Sequence, residues 1–593
     1  MANPSSNPTK PSSWSASFLM SEIPVGRARV AKLEGKQLAV VRPTEDEVYA
    51  IDNRCPHEGY PLAQGNLIGG TLLMCRWHNF TFDLRSGRCI GGDEDVRWYP
   101  TRVVEGRVEI DLANLDSRLQ AARYFESLER GLLERKMGQA ARDVVRLLEV
   151  GVSAEELIAR IVAFDAAHGE FGPNHALPVA ADALPLLERH KGLEATLPIM
   201  LVADIATERN AGRLARDPEA PVDPGVDPAA TSDRLVDAAK GYRLKEVEGL
   251  IRGALAKGWG REVIEPWLFR LASSNFKAFG HGLIFHVKAF DLLERIGWEH
   301  AADTLPALAM ITAAMPREEE VPVHAGFRKQ MAVFELELTA WAQKQGTGTL
   351  GASAAAAIRV GALEGNLDEA LDAVADALRG GAPADAIAGV LCIAGAERML
   401  RYDLAVERDP SVQEGWLDVT HLVTYANSVR TCVRWHPDAD GLRGLFFASW
   451  FIHKMQPLDQ PAASRAEPIA DEGVPALNEL MSAIAAHDNG NAHALAVRYL
   501  KHGGDVQALR IALEDLSLGD HGTRPIFIAH FLKTTVAAFD DWATLPNEPD
   551  RDLLLLAVVR FLASPIAERG VASATEDAIR FVRDGIPPQR LTP

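Results

Sequence analysis

Cysteine is scarce: 593 residues carry five, Cys55, Cys75, Cys89, Cys392 and Cys432. That argues against a disulfide-stapled scaffold and fits a reducing compartment, so a cytoplasmic protein is expected. Long apolar runs are missing too. The longest, LLLLAVV from Leu553 to Val559, falls far short of the roughly 18 residues a membrane helix needs, so no membrane partner is expected. Basic residues are outnumbered, with 62 Lys and Arg against 81 Asp and Glu and a formal net charge of −19. A surface of that sign repels phosphate, and nucleic acid is not expected as a partner. No charged-then-apolar leader opens the chain; MANPSSNPTKPSSWSAS is polar, and residues 1–14 read as a disordered tail.

What is present changes character near residue 112. Before it, short β-branched segments alternate with turns: KQLAVVRP, EVYAID, TLLMC, FTFDLRSG and RVVEGRVEIDL read as strands of a small antiparallel sheet. After it, helical periodicity dominates, beginning with SRLQAARYFESLERGLLERKMGQAARDVVRLLE. The expected architecture is therefore multidomain: a small all-β domain over 15–112, then a large all-α region over 113–593. Polar, Pro-rich or Gly-rich breaks at 216–233, 344–353 and 456–475 divide the helical region, with sub-halves near 113–343 and 354–593.

In the β domain, Cys55-x-His57 and Cys75-x-x-His78 stand 17 residues apart, each at the end of a predicted strand. Two thiolates and two imidazoles suit a tetrahedral zinc ion. They equally suit a [2Fe-2S] cluster in which two Cys hold one iron and two His the other. The spacing, the flanking CPHEGYPL and WHNFTFDLRSGR, and the lack of a finger helix resemble the Rieske family. Respiratory members of that family carry an extra cysteine in each loop. Here Glu58, Gly59, Arg76 and Trp77 occupy the loops, so the resemblance is to the ferredoxin and oxygenase branch. That branch works at the low end of the roughly −150 to +300 mV Rieske range. Cys89 reads as a buried structural thiol.

The helical region contains a candidate destination for an electron. Aligning GVSAEELIARIVAFDAAHGEFGPNHALPVAADALPLLER with GWGREVIEPWLFRLASSNFKAFGHGLIFHVKAFDLLER sets His175 opposite His281. Two further segments, GWLDVTHLVTYANSVRTCVR and GTRPIFIAHFLKTTVAAFDD, align His421 and His530 with them. About four helical repeat units follow, each offering one His at the start of a similar helix, and stacked repeats would turn those positions toward one axis. Four imidazoles on one axis fit a non-heme Fe(II) open to O2. A competing metal pair, His281 with His286, lacks an aspartate three residues ahead of its first His, since Ala278 stands there. On a regular helix its members also point about 140° apart. A further alternative keeps only the cluster and makes the helical region a binding scaffold for an electron carrier or redox sensor.

FGPNHALPVAADAL, WLDVTHLVTYANSV and AHFLKTTVAAFDD resemble the questin-oxidase-like family. The resemblance implies oxidative cleavage or Baeyer–Villiger-type chemistry on polycyclic aromatic polyketides. It also implies a non-heme iron held by several His and a carbamylated lysine between the last two of them. Between His421 and His530 stand only Lys454 and Lys501; Lys454, after the apolar GLFFASWFIH, is the candidate. No G-x-G-x-x-G follows a strand, so an external ferredoxin or flavin reductase is expected to supply electrons. The expected activity is that of an iron-dependent oxygenase acting on a small aromatic or polyketide-like substrate with O2.

Overall fold

The computed structural model describes residues 14–112, 117–409, 412, 414–461, 473–547, 549–566 and 571–585. The tail expected over 1–14 lies outside them except for Trp14, which opens the first strand, and so do residues 462–472 of the expected break at 456–475. The chain divides into two compact units, Met1–Ser153 and Ala154–Pro593.

In the first unit, β1 (Trp14–Leu19), β10 (Thr101–Val104) and β11 (Arg107–Asp111) form one antiparallel sheet, in the order β1-β11-β10. A second sheet runs β2 (Arg27–Leu33), β3 (Lys36–Arg42), β4 (Tyr49–Asp52) and β9 (Trp98–Tyr99). The third joins β5 (Asn66–Ile68), β6 (Leu72–Met74), β7 (Thr81–Asp83) and β8 (Cys89–Gly91). The period-2 geometry of a strand explains why LAVV in β3 is apolar throughout. Leu38 and Val40 face one core with Ala50, Val108 and Ile110. Ala39 and Val41 face the other with Ile51, Leu73, Phe82 and both Cys55 and Cys75. The second core is thus the floor of the Cys/His loops. Two helices, Ser117–Leu133 and Met137–Glu149, complete this unit. They are tied to its loops by Arg123 donating to the Ser86 carbonyl at 2.7 Å and by Arg142 pairing with the buried Glu94.

The second unit is helical: among its described residues the only β-pairing is isolated bridges, Lys277 with Arg317 and Tyr402 with Asp459. Four of its helices, Ala176–Ala183, His281–Ile296, His421–Trp435 and Pro525–Thr544, each pack on the next, and the fourth packs on the first, closing a ring. His175 immediately precedes the first of these, while His281 and His421 begin theirs. His530 differs from expectation, lying inside its helix because Pro525 starts that helix earlier. Proline at the first helical position loses no hydrogen bond and presets the helical φ, which favours this early start. No helix among the described residues is long and apolar enough to cross a membrane.

Candidate metal centres

Two loops of the first unit share one backbone design. Cys55 N–H donates to the Tyr60 carbonyl at 2.9 Å, and Cys75 N–H donates to the Phe80 carbonyl at 2.7 Å. Within each loop a residue at positive φ, Gly59 or Asn79, donates back to the cysteine carbonyl. Glycine adopts that conformation without penalty, and asparagine is among the side chains that tolerate it best. The two loops therefore present like side chains to one another. His57 Nδ1 and His78 Nδ1 stand 3.2 Å apart with rings nearly perpendicular, and His57 stacks flat on Phe80. His78 Nε2 faces Glu58 on the solvent side at 3.9 Å.

Behind the histidines, Cys55 and Cys75 are buried at 4% and 1% exposure. Burial, reinforced by the neighbouring Cys75, pushes the Cys55 thiol up to about 12. A dry sulfur pair beneath an exposed imidazole pair is the split donor set that a two-iron cluster requires, one iron per pair. All five cysteines are free, consistent with loops that lack the respiratory-type staple. Cys89, expected to be buried, lies half-buried in β8.

The second centre is built from the helical ring. His175, His281, His421 and His530 bring one nitrogen each within 4.8 Å of one another. His281 Nε2 lies 2.9 Å from His175 Nε2 and 2.9 Å from His421 Nε2, and His530 Nε2 lies 3.4 Å from His421 Nε2. The outer nitrogens set the tautomers. His530 Nδ1 donates to the Ile526 carbonyl at 2.7 Å and His281 Nδ1 donates to the Ala278 carbonyl, so both rings aim a bare Nε2 lone pair inward. One imidazole lone pair accepts one good hydrogen bond, and His281 Nε2 faces two nitrogens at the same distance, so it can accept from only one of them. His421 Nδ1 is likewise buried without a partner. Burial, then the nearby Lys533, holds all four below the ordinary histidine range, His281 at about 3. They are neutral at physiological pH and ready to coordinate. Four inward nitrogen donors suit a borderline divalent cation such as iron, zinc, copper or nickel.

Of the residues expected at this centre, the four histidines come together and Lys454 does not join them. Lys454 pairs with Glu318 at 2.7 Å and lies over the Phe279 and Trp450 rings. The lysine at the cluster is Lys533, one helical turn beyond His530, with Nζ 3.1 Å from His421 Nε2. Burial pulls its ammonium down to about 7. The i, i+3 spacing of His530 and Lys533 carried that signal in the sequence. His286 is buried elsewhere, its Nδ1 donating to the Gly282 carbonyl at 2.6 Å, as the 140° offset from His281 requires.

Backbone strain sits directly ahead of His281. Ala278, Phe279 and Gly280 all have positive φ, at 47°, 54° and 89°. At Gly280 a Cβ would fall 2.3 Å from Tyr425 of the His421 helix, so only glycine closes this turn. Two consecutive non-glycine residues in the left-handed region persist only when their surroundings over-determine them. Glu318 does so, accepting the Phe279 N–H with one carboxylate oxygen and the Lys454 ammonium with the other. Lys454 thus acts through the turn that supplies the Ala278 carbonyl to His281. Glu318→Ala should weaken metal binding at the histidine centre about tenfold, the low end of what losing an outer support costs. Metal titration of the apo-protein checks this, with the cluster's EPR spectrum unchanged.

Beside the ring lies a cavity of about 510 Å³, bordered by His175 and His281. Phe171, Phe279, Phe285 and Met315 provide apolar wall. The loop that carries His175 to it is held by Asp165, which accepts from Asn174 N–H at 2.8 Å and from the Asn210 amide at 2.7 Å.

The paired loops, with sulfur buried and imidazole exposed, define an iron–sulfur electron-transfer domain. Residues 13–101 match the Rieske [2Fe-2S] domain, and through that domain the chain belongs to the Rieske family. It is 33% identical over 102 residues to the ferredoxin component of a naphthalene 1,2-dioxygenase system from Pseudomonas aeruginosa, covering 17% of this chain and 96% of that protein. It is 30% identical over 83 residues to a cholesterol 7-desaturase from Hemicentrotus pulcherrimus, where the match spans 14% of this chain and only 18% of the desaturase. Among solved structures, the ferredoxin of carbazole 1,9a-dioxygenase from Nocardioides aromaticivorans IC177 is 25% identical, with a TM-score of 0.16, covering 16% of this chain and 95% of that one.

Proposed function

We propose that the chain is an iron-dependent oxidoreductase, an O2-using oxygenase acting on an aromatic or polyketide-like substrate, in which the Rieske unit relays electrons to a non-heme iron in the helical unit. Cys55 and Cys75 would hold one iron of the cluster, and His57 and His78 the other through their converging Nδ1 atoms. The catalytic iron would sit on the Nε2 atoms of His175, His281, His421 and His530. Bound there, iron supplies the redox centre at which O2 is activated. The single observation that carries this reading is the convergence of four neutral imidazoles, two buried and two half-buried, with two lone pairs fixed inward, at the edge of a ligand-sized cavity. A scaffold without a second metal leaves that arrangement of lone pairs unexplained.

The residues around the iron have distinct tasks. The carbonyls of Ala278 and Ile526 orient two ligands, and Phe285, packed edge-on against His175 and His281, excludes water from one side. The helical unit's resemblance to questin-oxidase-like proteins belongs to the same proposal, and with it the carbamylated lysine. That role passes from Lys454 to Lys533, the lysine that reaches His421. Addition of CO2 to the neutral Lys533 Nζ would form an N–C bond, release one proton and leave a carboxylate as an oxygen donor. Electrons would come from an external reductase.

The test is metal analysis with EPR. Intact protein should hold about three irons, two in the cluster and one in the ring. His421→Ala should lose one of them and keep the Rieske spectrum. Full iron retention in that variant, or zinc in place of iron at the ring, overturns the proposal.

A further inference from the structure

The cavity beside the histidine ring is not uniformly apolar, and its polar groups are unequal. Glu170 and Arg213 line it but pair with each other at 3.4 Å. Asn210 also lines it, with its amide committed to Asp165 at 2.7 Å. Two lining groups remain free. Arg209, at the end of the Thr196–Asn210 helix, is exposed and makes no ion pair or hydrogen bond among the described residues. Asn174 binds the Ala176 N–H through Oδ1 at 2.8 Å, while its Nδ2 is buried without a partner.

Both free groups are donors. A guanidinium fork matches the two oxygens of a carboxylate, which has further lone pairs for an amide N–H; a neutral carbonyl or single hydroxyl cannot use the fork in the same way. A buried amide donor left without an acceptor is costly, so a ligand that supplies one gains from it. The rest of the wall is aromatic and thioether, with Phe171, Phe279, Phe285 and Met315 suited to a flat ring, and the volume of about 510 Å³ accommodates a fused-ring ligand with its acid group.

We infer that Arg209 is a specificity-determining residue: with Asn174 Nδ2 it binds the carboxylate of an aromatic acid whose ring lies in the cavity against His175 and His281. This rests on the proposed role of the cavity as the substrate's approach to the ring metal. The charge requirement is carried by Arg209 and not by the metal.

The probe pair is 2-naphthoate and the uncharged 2-naphthamide, titrated by calorimetry into the full-length protein as isolated, with iron measured on the same samples. Naphthoate should bind at least tenfold more tightly than naphthamide, since a hydrogen-bonded charge separates the two. Arg209→Ala should erase that preference with iron content unchanged, because Arg209 supports no other side chain. Arg209→Lys should restore part of it, keeping the charge without the fork. Equal binding of acid and amide, a preference that survives Arg209→Ala, or no binding of either probe overturns the inference. Arg209-dependent binding of naphthoate to protein without ring iron upholds the anion site and rejects the iron proposal, so the two fail separately.

Discussion

Cys75→Ser is expected to remove the [2Fe-2S] cluster completely, about two of about three irons, while the iron proposed for the helical unit remains. Cys75 is 1% exposed in the apolar floor shared with Leu73 and Phe82. In the same floor, burial pushes the Cys55 thiol up to about 12, and a thiolate pair buried there would need strong bonding to iron to offset the burial of charge. A serine hydroxyl is far less acidic and a weaker ligand for iron in such clusters, so the offset is lost. No other cysteine can substitute. Cys89 is in β8 and belongs to neither loop, while Cys392 and Cys432 are buried in the second unit. Visible absorption and EPR report the cluster directly. The proposed relay makes a sharper demand: steady-state turnover driven by a reductase should vanish in Cys75→Ser, while a single turnover should survive when the ring iron is reduced chemically. Steady-state turnover at the parent rate would show that electrons do not pass through the cluster.

The two centres were legible to different depths. The proposed Rieske ligands follow directly on the ends of β4 at Asp52 and β6 at Met74, and loop, spacing and chemistry are all local, so CPH and CRWH are readable without the fold. Strands β3, β4, β6, β7, β10 and β11 were visible for the same reason, whereas β2 (RARVAKL) was hidden by its charged outer face. In the helical unit, the alignment of His175, His281, His421 and His530 found residues far apart in sequence that the ring brings together, because each stands at or near the start of a buried helix. The lysine at the ring differs from the expected one for a physical reason. Lys454 follows an apolar run and so looked buried, but it closes its helix with its head turned to Glu318. Lys533 falls outside the expected interval between two histidines, because it follows His530 within the helix that begins at Pro525. The strained turn before His281 has no periodic signature; only Gly280 hinted at it.

Asp182→Ala is expected to destabilise the helical unit by about 3–5 kcal/mol, the cost of stranding a buried charge. Asp182, in the His175 helix, and Lys288, in the His281 helix, pair at 2.7 Å with side chains 1% and 10% exposed. Burial raises the Asp182 carboxyl to about 6, and Asp182 in turn holds the Lys288 ammonium above its ordinary range, so the pair is ionised at pH 7.5. Because Lys288 binds its proton more tightly folded than unfolded, its contribution is fully present below about pH 10.4 and is lost as pH rises through the higher folded value. Without Asp182 the sign reverses. The ammonium keeps its burial, the largest influence on it, against only the more distant Asp291 at 3.9 Å and Asp540; its folded affinity for the proton falls below the unfolded value, and stability rises with pH up to about 10. Urea denaturation from pH 7 to 10, followed by circular dichroism, should therefore give a rising midpoint for Asp182→Ala over a range in which this pair adds no slope to the parent. Adding Lys288→Met should flatten the variant's rise and recover much of the lost stability, since replacing both members of a buried pair costs far less than removing one. A variant midpoint that does not rise with pH would mean that the two helices carrying His175 and His281 are not held together by this pair.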